Sequence, residues 1–294
     1  MSQKIKTAVI PAGGFGTRFL PASKSVPKEM FPLGDKPIIY HVVEEAVNSG
    51  IEHIIFIVSP QKHAVEQFFG EDIIYEDYLL SHGKLEQVGE LRGIASLAKF
   101  SFVYTAEPYG NGGALLSCQH LLRDEPFVLV WSDEVMLTQK KPRILQCIEA
   151  YEKIQKPVIS AVKIPKKADR CKYGMADLKS VPGMPGLKEI IKIVEKPAVG
   201  QEPSAYAAHG CYVLPPDIFD AFDSTFLGKN GELWLTDLIN TMKKKTGLYA
   251  KIIEDVKYLD CGNPLSYITS QVEYMLSQKK YAKNLKAYLK KRLS

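Results

Sequence analysis

The chain has 294 residues, 46% apolar and 24% charged, and its 38 Lys and Arg against 33 Asp and Glu leave a formal net charge of +5. That makeup excludes disordered and fibrous classes and is long enough for one large core or two small domains. The longest apolar runs, Phe127 to Trp131 and Ile54 to Val58 among them, fall far short of the roughly 20 residues of a membrane span.

No long apolar stretch or small-residue cleavage site follows the lysines of Met1 to Ile10, so no leader is expected. Cys118, Cys147, Cys171, Cys211 and Cys261 form no C-x-x-C pair, which fits reduced thiols better than zinc or disulfides. A cytoplasmic protein with no membrane partner is expected. Much of the positive charge lies in the tail, where Lys279, Lys280, Lys283, Lys286, Lys290, Lys291 and Arg292 alternate with Tyr281, Leu285, Tyr288, Leu289 and Leu293. This reads as the solvated face of a terminal helix packing by its apolar stripe, rather than as a nucleic-acid surface.

Along the chain, Lys6 to Pro11 predicts a strand running into a glycine-rich turn, and His53 to Ser59 a second strand. Between them lies a helix, with Asp35 as cap, Pro37 near the first turn, Ile38, Ile39, Val42, Val43 and Ala46 on one face, and Gly50 at its end. Strands at Ser101 to Thr105, Phe127 to Ser132 and Val158 to Lys163 alternate with helices at Gly112 to Leu122 and Arg143 to Ile154, the pattern of a parallel α/β sheet with right-handed crossovers. After Lys166 the pieces shorten: strands at Gly174 to Leu178, Ile190 to Glu195, Tyr212 to Leu214 and Tyr249 to Ile253, and helices at Pro216 to Phe222 and Leu235 to Lys244. No Ser/Gly linker or internal repeat divides the chain, so one continuous domain over 1–294 is expected.

The turn Ala12-Gly13-Gly14-Phe15-Gly16-Thr17-Arg18 supplies backbone N–H groups free to face an anion, then a hydroxyl and a guanidinium whose fork matches phosphate oxygens. It is not a P-loop, because no G-K-[ST] follows, and Phe19 stands where a dinucleotide fingerprint needs its third glycine. Taken alone it is equally a tight surface turn.

The longer string PAGGFGTRFLPASKSVPKEMFPLGDKPII resembles the signature of the sugar-1-phosphate nucleotidyltransferases. Within that superfamily the chain is similar to the bacterial UTP:glucose-1-phosphate uridylyltransferases in the K-x-x-P-K-E-M of Lys24 to Met30, in a helical insert at Glu76 to Leu91, and in the order of VEKP, GELWLTD and LDCGN. The resemblance implies a Rossmann-like, mixed and mostly parallel sheet flanked by helices, with a nucleotide-binding half at 1–165, an elaborated sugar-binding half at 166–265 and a helical tail at 266–294. It also implies UTP and glucose 1-phosphate as substrates, Mg²⁺ as cofactor, and a homo-oligomer that binds no nucleic acid.

The same resemblance gives Ala12, Gly13, Gly14, Gly16, Thr17 and Gly112 to the nucleotide, and Arg18 and Lys28 to the triphosphate as catalytic cations. It gives Gly174, Glu195 and Lys196 to the sugar phosphate, and Asp133 and Asp260 to the metal. Residue chemistry agrees: two carboxylates at strand ends leave a hard cation open positions for phosphate oxygens, a carboxylate accepts from sugar hydroxyls, and lysine suits phosphate as a point charge. The bland readings are a turn for Asp133, a helix cap for Asp260, a strand-end ion pair for Glu195 and Lys196, and core packing for Trp234, the last preferred. Glu232 matches the motif without a clear duty.

Two departures stand out in TAEPYGNGGA and GCYVL: Thr105 occupies the place of an expected glutamine, with Asn111 and Gly113 for leucine and histidine, and Cys211 stands where arginine is common. A thymidylyl- or other nucleotidyltransferase is therefore the nearest alternative. A catalytically silent nucleotide-sugar sensor is disfavoured because both lysines, both aspartates and Glu195 are kept, and an oxidoreductase by the glycine spacing.

Overall fold

The computed structural model describes residues 4–293 apart from 61, 106–109, 123–124, 139 and 223–230. In chain order the strands are β1 (Thr7–Pro11), β2 (Pro32–Leu33), β3 (Lys36–Pro37), β4 (His53–Val58), β5 (Lys99–Tyr104), β6 (Phe127–Val130), β7 (Glu134–Thr138), β8 (Val158–Lys163), β9 (Gly174–Ser180), β10 (Leu187–Glu195), β11 (Tyr206–Leu214), β12 (Tyr249–Ile252) and β13 (Val256–Asp260). The α-helices are α1 (Ile38–Val47), α2 (His63–Phe69), α3 (Ile73–Ser81), α4 (Leu85–Ala95), α5 (Asn111–Ser117), α6 (Arg143–Ile154), α7 (Leu235–Thr246), α8 (Pro264–Ser277) and α9 (Lys279–Leu293).

Near-continuous apolar runs with alternating side-chain direction mark strands covered on both faces. Ala8 and Ile10 of β1, Ile54, Phe56 and Val58 of β4 and Val128 and Val130 of β6 enter one buried cluster, which holds the apolar faces of α1 and α6. Val9, Ile55, Ile57, Phe127 and Leu129 enter a second cluster on the other side, with Leu115 of α5 and Leu235, Leu238, Ile239 and Met242 of α7. The strands make one nine-membered sheet in the order β5-β4-β1-β6-β11-β8-β12-β10-β9. Pairing is parallel from β5 through β4 and β1 to β6, and again between β8 and β12. β11 inserts antiparallel between β6 and β8, and β10 runs antiparallel to both β12 and β9. A separate ribbon joins β7 to β13, with Asp260 opposite Glu134.

Several boundaries differ from the sequence reading. Asp35 does not cap α1: Pro37 holds the N-cap position without a side-chain cap bond, and Asp35 instead accepts from Tyr281 Oη at 3.3 Å. The helix expected to reach Leu122 ends as α5 at Ser117, and the segment expected as a helix from Pro216 is a 3-10 turn, Pro216–Ala221. α9 forms as expected, but none of its residues is fully buried, so its stripe is only partly covered against α8.

Helices α1 and α6 are tied by a buried charge. Arg143 Nη2 donates to Glu45 Oε2 at 2.9 Å, and Glu45 Oε1 accepts the Ile144 N–H at 3.0 Å, satisfying one of the free donors at the start of α6. The Arg143 side chain is fully buried, so removal of Glu45 strands a guanidinium. Glu45→Ala is expected to lower unfolding free energy by about 3–5 kcal/mol, read as a lower urea midpoint at unchanged slope.

Candidate active site

β1 lies between β4 and β6, and the chain winds outward from it on both sides. In open α/β sheets ligands bind at that switch point, beyond the carboxyl ends of the strands. Ala12 and Gly13 follow β1, Thr105 follows β5 and Asp133 follows β6, so three separate segments reach one edge. A cavity of about 480 Å³ opens there, lined by Ala12, Gly13, Gly14, Lys28, Thr105 and Asp133, with Glu29, Asn111 and Glu232.

The glycine turn is held from behind. The Ala12 N–H donates to Ile57 O at 2.7 Å, and a Cβ on Gly13 would stand 3.2 Å from Thr105 Cγ2, whereas one on Gly14 would meet nothing. Gly16 has φ +63°, which lets the chain fold back on Lys28, whose Cβ and Cγ lie 3.5 Å from where a Gly16 side chain would begin. Thr17 and Arg18 follow on a 3-10 turn, Thr17–Phe19.

Lys28 forms an ion pair with Asp133. Burial works against the Lys28 ammonium, but the charge and hydrogen bond of Asp133, helped by Glu29, raise its pKa above the usual lysine value. Behind it Lys62 Nζ donates to Glu29 Oε1 at 2.6 Å, with the two side chains 8% and 0% exposed.

A second cavity, of about 430 Å³, adjoins the first and shares Asn111 and Trp131 with it. Arg18, Gly174, Glu195 and Lys196 line it, together with Lys172 and Trp234. Gly174 opens β9 opposite Glu195 at the end of β10, and a Cβ on Gly174 would fall 3.0 Å from Glu195 Oε2. Lys196 has φ +45°, a left-handed backbone held by its N–H on Tyr173 O at 3.2 Å. Such strain in a non-glycine residue costs on the order of 1 kcal/mol or more and clusters at functional positions.

The two aspartates meet beside Gly262. From the point where a Gly262 Cβ would stand, Asp260 Oδ1 is 3.1 Å away, Asp133 Oδ2 3.6 Å and Arg18 Nη1 4.0 Å. Asp260 ends β13 and accepts the Gly262 N–H at 2.8 Å, while the cap of α8 is Asn263. The cap reading of Asp260 therefore fails. Arg18 Nη1 also donates weakly to Gly262 O at 3.5 Å.

The structure gathers Ala12, Gly13, Gly14, Lys28 and Asp133 around the first cavity and Arg18, Gly174, Glu195 and Lys196 around the second, with Asp260 at their junction. Gly112 acts from behind: its N–H donates to Leu233 O at 3.0 Å, and a Cβ there would press on Leu233 and Trp234 at 3.0 Å. The core reading of Trp234 is overturned. It is 45% exposed and lines the second cavity, because the neighbouring Leu233 fills the core instead.

Sequence reasoning missed Trp131, Glu29 and Lys62, and marked Asn111 only as a departure from the motif. Trp131 directly precedes Ser132-Asp133 at a strand end, a placement that could have flagged it. Asn111 Oδ1 accepts the Leu235 N–H at 2.7 Å, binding the α5 and α7 starts together across 124 residues, and no local signal announces that contact. Size alone would have misled. The cavity of about 870 Å³ between α2, α3 and α4 is larger than either described above, and its Arg92 and Glu76 pair with each other.

Residues 7–276 match the nucleotidyl transferase family, and the chain belongs to that family. It is 38% identical over 289 residues to UTP–glucose-1-phosphate uridylyltransferase 2 of Staphylococcus saprophyticus, and 36% identical over 288 residues to UTP–glucose-1-phosphate uridylyltransferase of Staphylococcus epidermidis; each alignment covers 98% of both chains. A UTP-bound UGPase from Acinetobacter baumannii superposes with a TM-score of 0.87 at 31% identity, covering 97% of this chain and 98% of that one. Within the family the chain is therefore similar to the uridylyltransferases over nearly its whole length.

The seam between the α5 and α7 starts carries a test. Gly110 has φ +105°, and a Cβ there would stand 2.3 Å from Leu233 O. Gly110→Ala is expected to push the two segments apart, at a cost of about 1–3 kcal/mol, and a thermal melt together with a structure of the variant would show lost stability and a shifted Trp234.

Proposed function

We propose that the chain transfers the uridylyl group of UTP to glucose 1-phosphate, forming UDP-glucose and releasing pyrophosphate. The observation that carries this reading is the pair of adjoining cavities that share Asn111 and Trp131, with Lys28 lining the first and Arg18 and Lys196 lining the second. The likeness to the uridylyltransferases supplies the base and the sugar.

In this reading the glycine turn and Lys28 hold the triphosphate, and Glu195 and Lys196 hold the sugar hydroxyls and the sugar phosphate. An oxygen of the sugar phosphate forms a bond to the α-phosphorus as the bond to the departing pyrophosphate oxygen breaks, and the electron pair leaves with pyrophosphate. The nucleophile is already an anion, so no side chain need remove a proton. What the protein supplies is alignment and positive charge between two anionic reactants.

The convergence of Asp133 and Asp260 beside Gly262 presents hard oxygen donors from two directions, a set suited to Mg²⁺ that leaves further positions for phosphate oxygens and water. When bound, the cation supplies positive charge to the phosphate oxygens. We extend the proposal to one domain over 1–294, with the halves and tail described above, and to a cytoplasmic homo-oligomer without nucleic-acid or membrane partners. Free, mostly buried cysteines support the reducing compartment. Among the described residues no helix is long and apolar enough to cross a membrane.

Pyrophosphate release measured across four nucleoside triphosphates and several sugar 1-phosphates is expected to be fastest with UTP and glucose 1-phosphate, and a purine preference would refute the assignment. In the same assay chelation of divalent cations should abolish turnover. Asp133→Asn should lower kcat on the order of a hundredfold or more with an unchanged circular dichroism spectrum.

Thr105 offers a hydroxyl where a glutamine amide would give both a donor and an acceptor, and it packs against Gly13 at the cavity wall. One neutral hydrogen bond contributes about 1 kcal/mol. Thr105→Gln is therefore expected to raise the kcat/KM ratio of UTP over CTP, whose base lacks the N3–H and carries an amine in place of O4, by about fivefold, and an unchanged ratio would remove this position from base reading.

A further inference from the structure

Four charges stand together at the inner wall of the first cavity. Lys28, Glu29 and Asp133 border the cavity, and Lys62, which does not, pairs with Glu29, the two side chains nearly or wholly buried. Glu29 follows Lys28 on the same 3-10 turn, Lys28–Met30, so any imbalance on its carboxylate acts on the adjacent ammonium. Lys62 arrives from the segment after β4, its N–H donating to Ser59 O at 2.9 Å, and the Ser59 nitrogen lies 3.6 Å from the Cβ position of Gly13. The buried pair thus ties the Lys28 turn to the backing of the glycine turn.

A buried ion pair is a weak source of stability, because apolar residues of similar volume commonly serve as well. Its position supplies another reason for it. Without Lys62, Glu29 is a buried carboxylate whose nearest remedy is the ammonium of Lys28, and Lys28 must then turn inward. We propose that Lys62 is a positioning residue for nucleotide binding: by pairing with Oε1 of Glu29, whose Oε2 is buried without a hydrogen-bond partner, it leaves Lys28 directed into the cavity. This rests on the reading of Lys28 as a triphosphate ligand. The electrostatics agree, since Lys28 feels Glu29 as well as Asp133, and Lys62 feels Lys28 and Asp133 as well as Glu29.

The signature is non-additive. Steady-state constants for both substrates, calorimetric UTP binding and melting temperature would be measured for the parent, Lys62→Met, Lys62→Gln, Lys62→Arg, the double variant Lys62→Met with Glu29→Gln, and Lys28→Ala. In the neutral single variants the KM and Kd for UTP are expected to rise about tenfold, as a charged hydrogen bond is misdirected, while the KM for glucose 1-phosphate stays within about twofold. The double variant, which strands no charge, and Lys62→Arg should both return to within about threefold of the parent for UTP.

Equal rises for both substrates, a double variant as impaired as the single, or an unchanged UTP constant in Lys62→Met would each overturn the proposal. So would failure of both neutral single variants to fold while the double variant folds, which would make Lys62 a structural residue only. A parent without UTP-dependent pyrophosphate release, or Lys28→Ala with an unaltered UTP constant, would instead refute the underlying reading.

Discussion

Burial of β1 on both faces is the constraint from which the site follows. Its backbone groups pair with β4 on one side and β6 on the other, and its side chains alternate between two apolar clusters, so neither its register nor its direction can slip without exposing core. A one-residue shift would send Val9 to the wrong cluster and Ala8 and Ile10 to the other. Because β4 and β6 run parallel to β1, all three end at the same edge. The turn after β1 and the aspartate after β6 therefore face each other as a consequence of core packing. The glycines then determine how closely the turn can pack, with Gly13 against Thr105 and Gly16 against Lys28.

On that frame the chain places charge in two depths. The outer layer, Lys28, Asp133, Asp260 and Arg18, faces the cavities or their junction. The inner layer, Glu29 with Lys62 and Glu45 with Arg143, is buried. Burial pushes the Glu29 carboxyl up and the Lys62 ammonium down, each opposed by the other's charge at 2.6 Å. Such pairs are held in place by the penalty for stranding either member rather than by a large net attraction. An inner layer of this kind fixes orientation, and orientation is what a reaction without a protein nucleophile requires of its cations.

The parts legible in the sequence were those governed by local pattern. The alternation in Ala8 to Ile10 and Ile54 to Val58, the amphipathic stretch Ile38 to Ala46, and the glycine turn all formed where periodicity and turn chemistry put them. The cap at Asp35 failed because Pro37 fixes the entry to α1 while Asp35 meets Tyr281 from the far end of the chain. Trp234 was misread because a single-residue offset separates the buried Leu233 from the exposed aromatic, and composition cannot resolve that offset. The contacts of Asn111, which the sequence marks only as a departure from the motif, and of Glu29 and Lys62 are illegible for a different reason. Each acts through a partner distant in sequence, and their residue types alone suggest only loop or surface.

The junction between the cavities explains why the glycine turn ends in arginine rather than a second lysine. Arg18 begins beside the turn assigned to the triphosphate, yet its guanidinium lines the second cavity and reaches Gly262, next to both aspartates. A point charge on a flexible stem could serve one phosphate at a time. A planar fork can face two sets of oxygens at once. In the proposed reaction the two phosphates must be brought within bonding distance despite their repulsion, so a cation that starts at the glycine turn and lines the second cavity would act where that repulsion is greatest. The seam of Asn111 with Leu235 and of Gly112 with Leu233 joins the starts of α5 and α7, and Asn111 and Trp131 line both cavities. In the proposed reaction, alignment then draws on contacts distant in sequence, Asn111 on Leu235 and Gly112 on Leu233 with the weaker one of Arg18 on Gly262, rather than on any single side chain.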